Sequence, residues 1–269
     1  MAVALAVCAG LSLLYWLYMA YTAVRTRAVP EIVPQPDRRK DWPPLSVIVP
    51  ARNEADDLAG AAATLLAQDY PSLEIVLVDD RSTDATGTIV DDLASADDRA
   101  RAVHVTKLPG GWLGKVHALK EGLGVAGGEL LLFTDADVHF APGALRMAVD
   151  YMTRQRLDHL AGFPRLRPAG LLLGMMLAAF LRQFIAVTRP WKVADASSRA
   201  FIGIGAFNLV RREAFLAAGG FDWLRMEIGD DAALGLMMKR AGARCGVAAM
   251  TRQISLYWHR TIAQAVRGA

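Results

Sequence analysis

Leu73-Glu74-Ile75-Val76-Leu77-Val78-Asp79-Asp80-Arg81-Ser82-Thr83-Asp84 decides how this chain folds. A short apolar run that ends abruptly in acidic and turn-forming residues reads as a buried strand leading into a loop. The plan recurs upstream, where residues 45–49 run into Pro50-Ala51-Arg52-Asn53-Glu54, and downstream, where 129–134 run into Asp135-Ala136-Asp137. Helical patterns fall between these runs, at 56–68, 85–94 and 116–125, with a further strand at 102–105. Short buried strands alternating with crossover helices predict an α/β fold, a mostly parallel sheet flanked by helices. Ligands of such sheets bind at the carboxyl ends of the strands, so the polar residues just after each strand carry the chemistry.

Outward from this block the composition changes. The 269 residues are 54% hydrophobic and the mean hydropathy is +0.25, more apolar than an ordinary soluble domain. Residues 1–24 carry no charge and match the roughly 20 apolar residues that cross a bilayer. Tyr15, Trp16, Tyr18 and Tyr21 gather near the end of that span, as an aromatic belt does. A cleaved signal peptide fits less well, since no basic segment precedes the run and no small-residue cleavage site follows it. Arg25, Arg27, Arg38, Arg39 and Lys40 all follow the span, so the positive-inside rule places the remainder in the cytoplasm, on a single-pass anchor in the cell membrane.

The prolines at 30, 34, 36, 43 and 44 make 25–44 a basic, extended tether. The globular domain is expected over 45–250, with a tail at 251–269. Cys8 lies in the span and Cys245 far from it, which excludes a disulfide framework. A pI near 9.0 raises the question of nucleic acid, but the basic residues are dispersed and form no RNA-binding motif, so none is expected.

Four clusters carry candidate chemistry. Asp135 and Asp137 place two carboxylates at a strand end, and hard divalent cations bind through one or two carboxylates plus substrate phosphates. Asp79 and Asp80 pair like charges at another strand end, an arrangement that is costly unless a ligand or cation uses it. Ser82 and Asp84 serve as caps for the helix that follows. Pro109-Gly110-Gly111-Trp112-Leu113-Gly114-Lys115 is a glycine-rich turn before a helix, where backbone amides and the Lys115 ammonium suit a diphosphate. It is not a P-loop, because no Ser or Thr follows Lys115. Gly229-Asp230-Asp231 opens a helix ending in Lys239 and Arg240, a charge arrangement that the helix dipole alone also favours. His139 lies near Asp137, but the histidines show no metal-ligand spacing.

The ordered motifs Val49–Glu54, Val78–Asp84 and Asp135–Asp137 together resemble the family 2 glycosyltransferases of GT-A fold, over residues 45–249. The resemblance implies a nucleotide-diphospho-sugar transferase domain with an N-terminal transmembrane helix. It implies donor binding by Pro50, Arg52, Glu54, Asp79, Asp80, Lys115 and Asp135, with Asp79 or Asp80 on the nucleoside. Asp135 and Asp137 then hold Mg²⁺ or Mn²⁺ with the diphosphate of a UDP-sugar. In this family a Glu-Asp pair matches Asp230-Asp231, so Asp231 becomes the base that deprotonates the acceptor hydroxyl. Asp230, in place of Glu, keeps an undefined catalytic part.

The Gly111–Lys115 string looks like the hopanoid-associated and carotenoid subgroup, which implies a lipid acceptor. The implied reaction is a single displacement with inversion at the anomeric carbon. Gly203–Asn208 and Gly219–Asp222 resemble the acceptor-side segments, though glycine there also serves tight turns. Residues 253–258 depart from the Q-x-x-R-W motif of processive members, so polymer synthesis is not expected. Subgroup members commonly continue into further membrane helices, and a tail ending at Ala269 reads either as truncated or as lacking them. A polyprenyl-phosphate sugar synthase is the alternative enzyme. A catalytically silent membrane scaffold of the same fold is the alternative outside enzymes. A Rossmann dehydrogenase is excluded by the lack of G-x-G-x-x-G after the first strand.

Residues 168–181 form an uncharged run. On that length it is too short to span a bilayer and is expected to lie at its surface, with Arg182, Arg189 and Trp191 near the headgroups. A buried core helix is the alternative.

Overall fold

The computed structural model describes residues 1–35, 41–167, 170–261 and 263. Arg38, Arg39 and Lys40 of the basic cluster, Pro168 and Ala169 of the apolar run, and most of 262–269 in the tail lie outside the described residues. The chain opens with helix α1 (Ala2–Thr26), then β1 (Leu45–Ala51), α2 (Leu58–Leu66), β2 (Leu73–Asp80), α3 (Thr86–Ala96), β3 (Ala100–Val105), α4 (Gly114–Val125) and β4 (Leu130–Phe133). The second half adds β5 (His139–Phe140), α5 (Ala144–Arg154), β6 (His159–Phe163), β7 (Arg165–Leu166), α6 (Leu171–Thr188), β8 (Asn208–Arg211), α7 (Arg212–Ala217), α8 (Gly220–Leu224), α9 (Asp230–Arg240), β9 (Cys245–Ala249) and β10 (Ile254–Leu256).

Seven strands form the main sheet in the order β3-β2-β1-β4-β8-β6-β9. β1 to β4 are mutually parallel, and β8 runs antiparallel to both β4 and β6. The mostly parallel sheet expected from the sequence is therefore present, with one reversed strand. Every residue of β4 is buried, as a strand covered on both faces requires. Val47 and Val49 of β1, Ile75 and Leu77 of β2, and Leu130 and Leu132 of β4 point into one core layer. Ile48, Val76, Val78, Leu131 and Phe133 point into the other, with Val116 and Leu119 of α4. Alternation by two residues along each strand thus divides an almost continuous apolar sequence between two layers. Close approach on the α4 side depends on Gly122, where a Cβ would stand 2.6 Å from Ile48 Cγ2.

Two expectations are corrected at the margins of this body. Residues 30–32 do not run free as a tether. Pro30 O accepts from Ala249 N (2.8 Å), Ile32 N donates to Ala249 O (3.2 Å), and Gln253 Nε2 donates to Ile32 O (2.8 Å). Ile32 is buried in the core, so the packed unit begins before residue 45 and extends past 250 to include β10. β10 joins β5 and β7 in a small separate sheet.

The apolar run after residue 168 is not limited to a short segment. Helix α6 continues through Arg182 to Thr188, and by length and composition both α1 and residues 171–192 are apolar enough to cross a membrane. α6 is not a core helix either, since Leu171, Leu172, Met175, Met176, Phe180 and Val187 are exposed.

Candidate active site

Three loops meet at the carboxyl ends of β1, β2 and β4. The loop after β1 and the loop after β2 are tied together by Asn53, whose Oδ1 accepts from Thr83 N (2.8 Å) while its own N donates to Ser82 Oγ (3.0 Å). Glu54 N donates to Thr86 Oγ1 (2.8 Å) and Ala55 N to Asp84 Oδ2 (3.2 Å). Ser82 and Asp84 therefore bridge two loops. Asp84 is also the cap expected for the helix that follows, its Oδ1 accepting from Thr86 N (3.0 Å), whereas Ser82 Oγ is turned to Asn53 N. Asn53 and Arg81 both sit at a φ of 56°, a left-handed conformation that costs roughly 1–3 kcal/mol at a residue other than glycine. The bridging bonds hold Asn53 there, and the two bonds to Asp80 hold Arg81.

The paired aspartates separate into two roles. Asp80 is bound by its neighbour, with Arg81 Nε donating to Oδ1 (2.7 Å) and Nη2 to Oδ2 (3.0 Å). Asp79 Oδ1 accepts from Ser82 N (3.2 Å), and Oδ2 lies 3.2 Å from Nδ1 of His104, its register partner on β3. The expectation that two adjacent carboxylates need a ligand or cation is thus corrected, because Arg81 and His104 supply the compensation. Asp80 lines the cleft described next, and Asp79 is turned away behind it.

That cleft has a volume of about 400 Å³ and is walled by Pro50, Arg52, Glu54, Asp80, Lys115, Asp135 and Asp137. Lys115, one residue into α4, places Nζ 2.7 Å from Asp135 Oδ1 and 3.8 Å from Asp230 Oδ2. Its enclosure lowers its proton affinity, but Asp135 and Asp230 outweigh that and raise it overall. Asp230 is pushed up to about 6, by burial first and then by Asp231 and Asp135, against the opposing charge of Lys115. Asp231 is fixed by the backbone, with Oδ2 accepting from Gly205 N (2.9 Å) and Oδ1 from Ala232 N (2.7 Å). A small void of about 10 Å³ beside the cleft shares Pro50, Lys115 and Asp135 with it and is closed by Asp230 and Asp231.

Negative charge is left over on the far side. Glu54 is pushed up to about 7 by burial and then by Asp137, Asp57 and Asp135. Asp137 is pushed up to about 6 by burial and then by Asp135. Among the described residues no group of three or more His, Cys, Asp and Glu is placed to hold a metal unaided. The donor set fits a hard divalent cation bound at Asp135 and Asp137 with phosphate oxygens completing its shell, and the crowded carboxylates are what such a charge relieves. His139, on β5, packs against Gly60 of α2, and its proton affinity is lowered by burial and by Arg167.

At the acceptor side Gly203 and Gly235 of α9 serve close approach, whereas Gly219 and Gly220, at φ of 115° and 56°, serve the turn. A Cβ on Gly203 would stand 1.7 Å from Asp231 O, and one on Gly235 would stand 2.1 Å from Ile202 O. Neither has a positive φ, so turn formation is not their use. Gly114 is equally constrained, since its Cβ would meet Arg81 Nη2 and Asp80 Oδ2, each at 2.7 Å. Gly114→Ala is expected to displace the Asp80–Arg81 pair and weaken UDP binding by about tenfold while Tm falls only a few degrees. Calorimetry beside a melting curve checks this, and unchanged affinity refutes it.

Sequence reasoning missed Leu256 and Trp258, which form one rim of the cleft. The signal is the apolar and aromatic segment Ile254-Ser255-Leu256-Tyr257-Trp258 itself. It missed Arg81 as well, whose adjacency to Asp80 was legible.

A mostly parallel sheet with acidic loops converging on one cleft, and a second acidic pair linked to it by a lysine, is the arrangement of the GT-A fold. The glycosyl transferase family 2 model matches residues 46–216. The chain belongs to that family. It is 34% identical over 103 residues to the probable glycosyltransferase YdaM of Bacillus subtilis, covering 38% of this chain and 24% of the relative. It is 37% identical over 103 residues to the GalNAc(5)-diNAcBac-PP-undecaprenol β-1,3-glucosyltransferase of Campylobacter jejuni, covering 38% and 32%.

The chain thus matches a third or less of these relatives' length. Among solved structures, the mannosyltransferase PcManGT of Pyrobaculum calidifontis, in complex with GDP-Man and Mn²⁺, superposes with a TM-score of 0.62 at 25% identity, over 88% of this chain and 65% of that one.

Proposed function

We propose that this glycosyltransferase moves a sugar from a UDP-sugar to a lipid hydroxyl at the cytoplasmic face of the cell membrane, inverting the anomeric centre. The observation that carries the reading is the junction at Lys115, which ties the donor-side Asp135 to the acceptor-side Asp230. Asp80 and Arg52 face the nucleoside end of the cleft, and the amides at the start of α4 face the diphosphate. A bound Mg²⁺ or Mn²⁺ supplies charge compensation for the departing diphosphate. Lys115 holds a second positive charge against the same region. Asp231, oriented by Gly205 N and Ala232 N, takes the acceptor proton as its oxygen attacks the face opposite the leaving group.

The Mn²⁺ bound by PcManGT and the lipid-linked acceptor in the name of the Campylobacter relative support the metal and acceptor. The Gly-Trp-Leu-Gly-Lys string favours the hopanoid and carotenoid subgroup. A screen of nucleotide sugars for donor hydrolysis, with Mn²⁺, with Mg²⁺ and with chelator, tests the reading. Hydrolysis of a UDP-sugar that chelator abolishes is expected. Chelator-insensitive hydrolysis would remove the metal from the proposal.

A further inference from the structure

We propose that the acceptor lipid enters the donor cleft over an aromatic sill formed by Phe180 of α6 and Trp258, its hydrocarbon tail remaining along α6. This rests on the lipid-acceptor reading above and adds the route. Trp258 is the one residue that belongs to both places, among the described residues. It lines the cleft with Glu54, Lys115 and Asp137, and its ring meets Phe180 edge-on at 5.1 Å and 72°. Phe180 in turn stacks on Phe184 at 6.3 Å and 20°, so the aromatic track continues one turn along α6. Leu256 and Trp258 add large apolar side chains to a cleft that also carries the carboxylates of Glu54, Asp80, Asp135 and Asp137.

The placement of α6 indicates what lies beyond the rim. Its polar side chains turn toward α1. Arg182 Nη2 donates to Thr22 Oγ1 (2.7 Å) and to Met19 O, Gln183 Nε2 donates to Tyr15 Oη, and Tyr18 Oη donates to Ala186 O (2.6 Å). With those groups satisfied inside the helix pair, the outer face keeps Leu171, Leu172, Met175, Met176 and Val187 exposed. A surface helix in water shows the reverse arrangement, polar out and apolar in. Inward-turned, paired polar groups are what a hydrocarbon surrounding demands.

Among the described residues the side-chain bonds between the helices involve residues 15–22 of α1 and 182–186 of α6, so α6 meets α1 at its end. That contact falls at Tyr15, Tyr18 and Tyr21, the level at which aromatic residues meet headgroups. The sill therefore stands where a lipid hydroxyl resides, with the cleft directly behind it.

The full chain, reconstituted into phosphatidylcholine–phosphatidylglycerol vesicles with a diacylglycerol bearing a photoactivatable group near its hydroxyl, tests the route. Irradiation is expected to label peptides from 171–184 and from 254–260. Phe180→Ala with Trp258→Ala should cut the label at 254–260 by about fivefold, within the range that an aromatic contact is worth. Vesicle flotation should be unchanged, and Trp258→Phe should keep the label. Label confined to α6 and indifferent to the substitutions would overturn the route while leaving the membrane reading intact. Protection of Trp258 by a soluble oligosaccharide but not by lipid would likewise overturn it, assigning the rim to a carbohydrate. Failure of the unaltered full chain to float with vesicles would instead sink the lipid reading beneath it.

Discussion

Asp231→Asn is expected to slow sugar transfer at least about 10²-fold while UDP affinity stays nearly unchanged. The amide keeps the volume and one of the two backbone bonds, its oxygen accepting from Gly205 N while its NH2 cannot accept from Ala232 N, so the loop at 203–205 keeps its seat on α9. What disappears is the carboxylate proposed to receive the acceptor proton. Asp230→Asn should behave differently. It removes one of the two carboxylates around Lys115 and so shifts the charge felt by the diphosphate, moving affinity and rate together. Single-turnover rates set against calorimetric UDP affinities separate the two aspartates. An equal fall in both quantities for Asp231→Asn would take the role of base away from it.

Asp137→Asn is expected to weaken Mn²⁺-dependent UDP binding by tenfold or more, about the loss seen when a metal site's supporting contacts are removed, and to leave metal-free UDP binding alone. The same crowding predicts a pH dependence. Protons and metal compete for these carboxylates, and Glu54 and Asp137 hold their protons up to about 7 and about 6. Mn²⁺-dependent affinity should therefore be full above about pH 7 and decline as the pH falls through those values. Titrations across that window check it, and in the asparagine variant the lower part of the decline should vanish. A flat profile would place the metal elsewhere.

The first half of the fold was legible because its information is local. Strands β1, β2 and β4 announce themselves as apolar runs ending in acidic loops, and parallel pairing then brings those loops to one edge without knowledge of any distant contact. The reversed strand β8 was not legible, since four residues of ordinary composition say nothing about direction. The two fates of Asp79 and Asp80 were hidden for a related reason. Arg81 is adjacent in sequence, but His104 faces Asp79 only through the β2–β3 register. The apolar run after 168 misled by its end. A charge at Arg182 reads as a boundary, whereas a guanidinium with a partner on another helix does not stop one. Trp258 could be assigned to the cleft only once β10 had been seen to fold back beside it.

The strap of Pro30 and Ile32 on Ala249, locked by Gln253 across 221 residues, fixes the order in which this protein becomes itself. A ribosome delivers residues 30–32 before β9, so this segment waits for its partner strand. Until residue 253 emerges, the growing domain hangs from its own N-terminus with no fixed heading. Closing so long a loop adds little entropy beyond a shorter one, because the penalty grows only with the logarithm of length. It costs time, since distant contacts form slowly. A chain cut short just before Ala249 would retain every residue of the cleft except its apolar rim, and would have lost its bearings.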